Sequence, residues 1–267
     1  MGKNKFLIAA CFLATLIACS TVPLTGRKQF SLVGDSEINN SAAQSYSQLL
    51  SDPKTKVINS GRDAESVRRV GNRLAAAIES YLKTNGYGDQ YSFNWEFNLI
   101  QSNEINAWCM PGGKVAVYSG ILPITMDDAG LATVMGHEIG HAIARHSAER
   151  ISQQMAAEAG GALVGVAASD KSQTTQSVVN ELYGVGGQLV LLKYSRNQES
   201  EADRLGLIFM ALAGYDPNNA VAFWQRMAAQ NKGGAPPEFL STHPADETRI
   251  EAIKGHVSEA MKYYRHQ

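Results

Sequence analysis

Residues 134–146 read VMGHEIGHAIARH, and within them His137, Glu138 and His141 form the pattern His-Glu-x-x-His. Residues four apart on a helix share a face, so His137 and His141 can direct two imidazole nitrogens at one metal ion. Glu138 lies about 100° further round, outside the ligand set yet near enough to reach a metal-bound water. Zinc brings the pKa of such a water from about 15.7 towards 7, and a carboxylate can take its proton as it attacks a carbonyl. The residue types suit peptide hydrolysis with one Zn2+ per chain. A catalytic zinc usually takes three protein ligands, however, and this segment supplies two.

A third ligand must come from elsewhere. The metzincin pattern would need Gly at 144 and His at 147, where Ala144 and Ser147 stand, and His146 falls one residue early on the wrong face of a continuous helix. A second helix carrying a carboxylate remains, and SRNQESEADRLG, residues 195–206, supplies one. Glu199 and Asp203 are four apart on one face, so Glu199 can bind the metal while Asp203 accepts a hydrogen bond from a ligand histidine. Glu201 lies about 200° round from Glu199 and cannot share that role; spacing alone favours Glu199 without excluding Glu201. Two-His-one-carboxylate iron oxygenases use similar ligands, and Glu138 beside His137 speaks against that alternative.

The elements that must position these residues are mainly helical, an α+β pattern. Asp35 or Ser36 can cap a helix to about Leu50, and residues 64–82 place Val67, Val70, Leu74, Ile78 and Leu82 on one stripe. Residues 91–100 alternate as a half-buried strand, with Phe93, Trp95, Phe97 and Leu99 on one face. Residues 104–110 and 114–120 read as a hairpin around Pro111-Gly112-Gly113, giving a small antiparallel sheet. One helix is expected from Asp127 or Asp128 to about Ser152. A small apolar helix over 155–169 and a polar break over 170–178 follow. A long helix should then end at Ala213 before Gly214, and another should start at Asp216-Pro217. Residues 231–244 read as a loop and Pro244 as the start of a last helix ending near Tyr264.

Residues 1–18 have the layout of a secretory signal, with Lys3 and Lys5 ahead of an apolar stretch, Phe6 to Ile17, too short to span a bilayer. The stretch ends Leu16-Ile17-Ala18-Cys19, which resembles a bacterial lipobox; Cys19 would then carry lipid. Ser20, in place of aspartate, points to an outer-membrane anchor on the periplasmic side. Residues 19–34 have no period and read as a tether, leaving 35–267 as one domain. Cys109 remains without a disulfide partner and reads as a buried strand residue. With 24 basic and 25 acidic residues and no basic run, nothing indicates nucleic-acid binding.

HEIGH followed about 60 residues later by SRNQESEAD resembles the zinc metallopeptidase family that includes the CaaX prenyl endopeptidase, HtpX, BepA and LoiP. INAWCMPGGKVAVYSG and LSTHP are similar to that family too, and the resemblance covers about residues 25–255. It implies a zincin-like (gluzincin) fold with a pair of active-site helices, and makes Glu199 the third ligand with Asp203 behind it. It also implies an edge strand holding extended substrate through main-chain hydrogen bonds, with Asn106 and Ala107 on it and Asn106 orienting the substrate amide. His243 has three readings: cap of the last helix, stabiliser of the oxyanion, or occupant of the open zinc position that keeps the enzyme latent. The biological role implied is quality control of unfolded envelope proteins. The competing role is that of a chaperone-like factor working with the outer-membrane assembly machinery.

Overall fold

The computed structural model describes residues 19–22, 24–161, 175, 177, 194–231 and 237–264, so the expected signal segment and most of 155–178 lie outside the described residues. The architecture is mainly helical. Strands β1 (Cys19–Thr21) and β2 (Lys28–Phe30) pair as an antiparallel hairpin. Helices α1 (Asp35–Ser51) and α2 (Arg62–Thr84) follow. The predicted stripe of α2, Val67 to Leu82, is buried throughout.

Strands β3 (Val57–Ile58), β4 (Glu96–Ile100), β5 (Ala107–Met110) and β6 (Lys114–Tyr118) make one sheet in the order β3-β4-β6-β5. Its β3–β4 and β5–β6 pairings are antiparallel, the latter being the expected hairpin, whereas β4 and β6 run parallel. β4 is shorter than the alternation in 91–100 suggests. Tyr91, Phe93 and Trp95 instead stack in sequence, with Trp95 against Phe97 of the strand. β5 is the edge strand, as expected.

After the short helix α3 (Leu122–Thr125), α4 (Asp128–Ile143) begins where Asp127 accepts a hydrogen bond from the Gly130 N–H. Every residue from Gly130 to His141 is buried, which identifies α4 as a central helix, surrounded on all sides. It does not continue to Ser152. Arg145 adopts φ 55°, a left-handed conformation that ends one helix and starts α5 (His146–Gly161) in a new direction. The Arg145 guanidinium holds this break, bonding Asp35 and the Gln90 carbonyl and lying over the Tyr91 ring.

Helix α6 (Arg196–Leu212) opens with a capping box between Ser195 and Gln198 and stops before Gly214 as predicted. α4 and α6 meet backbone to backbone. A methyl group on Gly140 would stand 2.8 Å from the Ala202 carbonyl oxygen, and one on Gly206 2.8 Å from the His137 nitrogen. Three glycines, Gly136, Gly140 and Gly206, therefore let the His-Glu-x-x-His helix lie directly on the helix that carries Glu199. α7 (Asn219–Ala228) follows. Among its described residues the predicted loop 231–244 contains one short helix, α8 (Glu238–Thr242), and the last helix, α9 (Glu247–Ala260), starts at the Asp246 cap rather than at Pro244. Among the described residues no helix is long and apolar enough to cross a membrane.

Candidate metal centre

The close α4–α6 contact brings one nitrogen from each of His137 and His141 and a carboxylate oxygen of Glu199 together. His243, just past α8, adds a third imidazole, and the four donor atoms lie within 4.8 Å of one another. His137 Nε2 is 3.1 Å from His141 Nε2 and 3.2 Å from His243 Nδ1. Glu199 Oε1 lies 3.4 Å from His141 Nε2 and 2.8 Å from His243 Nδ1. A tetrahedral ion with bonds of about 2.0–2.1 Å spaces its ligands by roughly 3.3 Å, so these residues fit a small divalent cation.

The charges agree with this fit. Burial lowers the pKa of His137 and depresses that of His141 further, which favours the neutral imidazoles that metal binding requires. Burial works against Glu199, but His243 and His141 hold its carboxyl well below the usual range. For His243, burial works to lower the pKa, yet Glu199 and Glu138 together raise it. Glu138, Glu199 and Asp203 are buried, and Arg249 is the guanidinium among them. Buried carboxylates of this kind are stable only when paired or when they coordinate a metal.

The residues behind the donors complete the site. Asp203 Oδ1 is 2.9 Å from His137 Nδ1, the nitrogen facing away from the cluster. Arg249 grips both Asp203 oxygens at 2.8 Å, approaches Glu199 Oε2 at 2.9 Å and stacks 3.8 Å above the Trp224 ring. Arg249 escaped sequence analysis, although it occupies the first position of the stripe Ile253, Val257 and Ala260; a cation on a buried stripe signals a buried anion. Glu138 Oε1 is buried without a hydrogen-bond partner, 3.7 Å from His243 Nε2, and burial pushes the Glu138 carboxyl up to about 8. Tyr194 stacks on the His141 ring, with centroids 3.9 Å apart.

Two expectations change. His243 does not cap the last helix, since Asp246 does so. The edge strand is also not open: Ala107 to Met110 are all buried, and the Ile105 carbonyl is taken by the Phe239 N–H of α8 at 3.3 Å. Asn106 is 1% exposed, its Oδ1 accepts from the Ala107 N–H and its Nδ2 has no partner among the described residues. Cys109 is buried, with its thiol pushed well above the usual range by burial, as its strand position suggested. Glu201 and His146, set aside on spacing, meet each other 3.0 Å apart.

A His-Glu-x-x-His helix lying on a second helix that supplies a glutamate, with an aspartate behind the first histidine, defines a gluzincin-type metallopeptidase site. Comparison with known sequences agrees: the model of peptidase family M48 matches residues 62–257. The chain belongs to that family. It is 34% identical over 242 residues to the mitochondrial metalloendopeptidase OMA1 of Schizosaccharomyces pombe, covering 90% of this chain and 67% of that protein. It is 36% identical over 177 residues to the OMA1 of Saccharomyces cerevisiae, covering 64% of this chain and 49% of the relative. It is also 34% identical over 203 residues to a putative beta-barrel assembly-enhancing protease of Vibrio cholerae, covering 73% of this chain and 39% of the relative.

Proposed function

We propose that the chain is a zinc-dependent endopeptidase of the bacterial cell envelope that cleaves unfolded or misassembled proteins in extended conformation. In this reading His137, His141 and Glu199 hold the ion, Glu138 is the general base, and lipid on Cys19 attaches the domain to the outer membrane on its periplasmic side. Similarity to beta-barrel assembly-enhancing proteases and the lipobox-like residues support the location. The observation that carries the chemistry is the buried Glu138 carboxyl, whose Oε1 has no hydrogen-bond partner among the described residues, beside four converging donors. When bound, zinc supplies Lewis acidity that lowers the pKa of water and polarises a carbonyl. Glu138 accepts the proton of the attacking water and passes it to the departing amine. Asn106 Nδ2 is free to donate to a substrate carbonyl.

The described state is closed. His243 takes the fourth donor position, and the same segment seals the start of the edge strand through Phe239. We infer that this segment must move for extended substrate to pair with β5, which makes the resting enzyme latent. Closure is also the observation that favours a chaperone-like role with little routine cleavage. Incubating the purified chain with unfolded casein, with and without chelator and beside Glu138→Gln, separates the two. Cleavage by the wild type, lost with chelator or in the Glu138→Gln variant, supports the endopeptidase; a Glu138→Gln strain with an intact envelope phenotype places the main role outside proteolysis.

A further inference from the structure

His141 directs Nε2 at the donor cluster and leaves Nδ1 on the opposite side, where it meets His146 Nδ1 at 2.8 Å. His146 is fully buried, and its Nε2 lies 3.0 Å from Glu201 Oε2. With His141 bound through Nε2, its Nδ1–H donates to His146 Nδ1, and His146 Nε2–H donates to Glu201, so all three roles are satisfied in one direction. Glu201 is held in turn by the N-terminal segment: Thr25 donates its hydroxyl proton to Oε1, and Arg27 Nε donates to Oε2 at 2.6 Å. Arg27 Nη1 reaches across to both oxygens of Glu149 at 3.0–3.1 Å, and Gln198 bonds the same carboxylate at 3.1 Å. One guanidinium therefore ties the β1–β2 hairpin to α5 and α6.

We propose that Arg27 is a positioning residue for the metal centre, setting the orientation of His141 through Glu201 and His146, and that Thr25 and Arg27, just ahead of β2, clamp the site. The inference rests on the metal-site reading above. The two proximal histidines are supported differently: Asp203 backs His137 directly from the neighbouring helix, whereas His141 depends on a relay ending in a segment about 115 residues earlier. The break at Arg145 makes this geometry, because it turns His146 back over His141. Residues expected to be a slack tether are thereby part of the site.

The test is zinc affinity of the purified full chain, read by competition with a chromophoric chelator, together with the visible spectrum of the cobalt-substituted protein. Groups behind a ligand histidine typically contribute about 10- to 100-fold in metal affinity. His146→Ala should lose zinc affinity by that order and change the cobalt spectrum, while His146→Asn, which keeps an acceptor near Nδ1, should recover much of both. Arg27→Ala should weaken zinc binding in the same direction and Arg27→Lys less so. Because Arg27 acts through His146, the double variant Arg27→Ala/His146→Ala should bind zinc no worse than His146→Ala alone. Multiplying losses, or a His146→Ala variant with wild-type affinity and spectrum, would overturn the proposal. A wild type that binds no zinc would overturn the metal-site reading as well.

Discussion

Replacing Gly206 with alanine sets helix propensity against packing. In an exposed helix interior the change favours folding by about 1 kcal/mol. At Gly206 the new methyl would stand 2.8 Å from the His137 nitrogen and 2.9 Å from the Gly136 carbonyl carbon, both backbone atoms that no rotamer change can move. Reaching ordinary contact requires α4 and α6 to separate by about 0.6 Å. Overpacking of this kind costs about 1–3 kcal/mol, and a backbone clash belongs at the upper end, which leaves a net loss near 2 kcal/mol. For a chain of this size that lowers the melting temperature by about 4–8 °C. The same separation draws Glu199 away from His137 and His141, so zinc affinity falls as well. Gly255→Ala in α9 is the matched control, since nothing lies within 4 Å of its added methyl, and it should stabilise. Melting curves with and without chelator, and zinc competition, measure both effects. A Gly206→Ala protein that melts at or above wild type with unchanged zinc affinity would refute the argument that these glycines set the helix spacing and the site.

Three further outcomes are expected. His243→Ala leaves three donors, so zinc content should stay full while turnover of unfolded casein rises; unchanged turnover would remove both the latch and the oxyanion role. Arg249→Ala strands buried Asp203 and Glu199 without their cation, a loss of about 3–5 kcal/mol that should lower the melting temperature by on the order of 10 °C; a shift of a degree or less would show the carboxylates are balanced otherwise. Burial works to raise the Asp203 pKa, but Arg249 and His137 hold it at about 2 against an ordinary 3.8. Its contribution, about 2 kcal/mol, is complete above pH 4 and is lost as pH falls towards 2. In chelator, the urea midpoint of the wild type should therefore drop more steeply between pH 4 and 2 than that of Asp203→Asn, and parallel slopes would contradict the pairing.

Which parts were legible follows from the range of each interaction. The helix carrying His137, Glu138 and His141, the stripe of α2, the β5–β6 hairpin and the end of α6 at Gly214 all depend on spacing within a few turns. Glu199 and Asp203 were legible because they share a helical face and the ligand count left one position open. The helix break at Arg145 was not, because its cause is a guanidinium bonded to Asp35 and Gln90, distant in the chain. Arg249 was missed for the same reason, its partners lying on another helix.

Local periodicity indicated the chemistry: two imidazoles and a carboxylate on one helix and a carboxylate pair on another, with the family resemblance choosing Glu199 as the ligand. Tertiary structure alone decided how that chemistry is held. Gly136, Gly140 and Gly206 remove the side chains that would keep two backbones apart, and so set the distance between the ligand helices. His243 and Phe239 close the site from a segment with no periodic signal, and Arg27 reaches it from the far end of the described chain. Sequence spacing reports which residues share a face, whereas buried charge is satisfied by whichever groups the fold brings within about 3 Å.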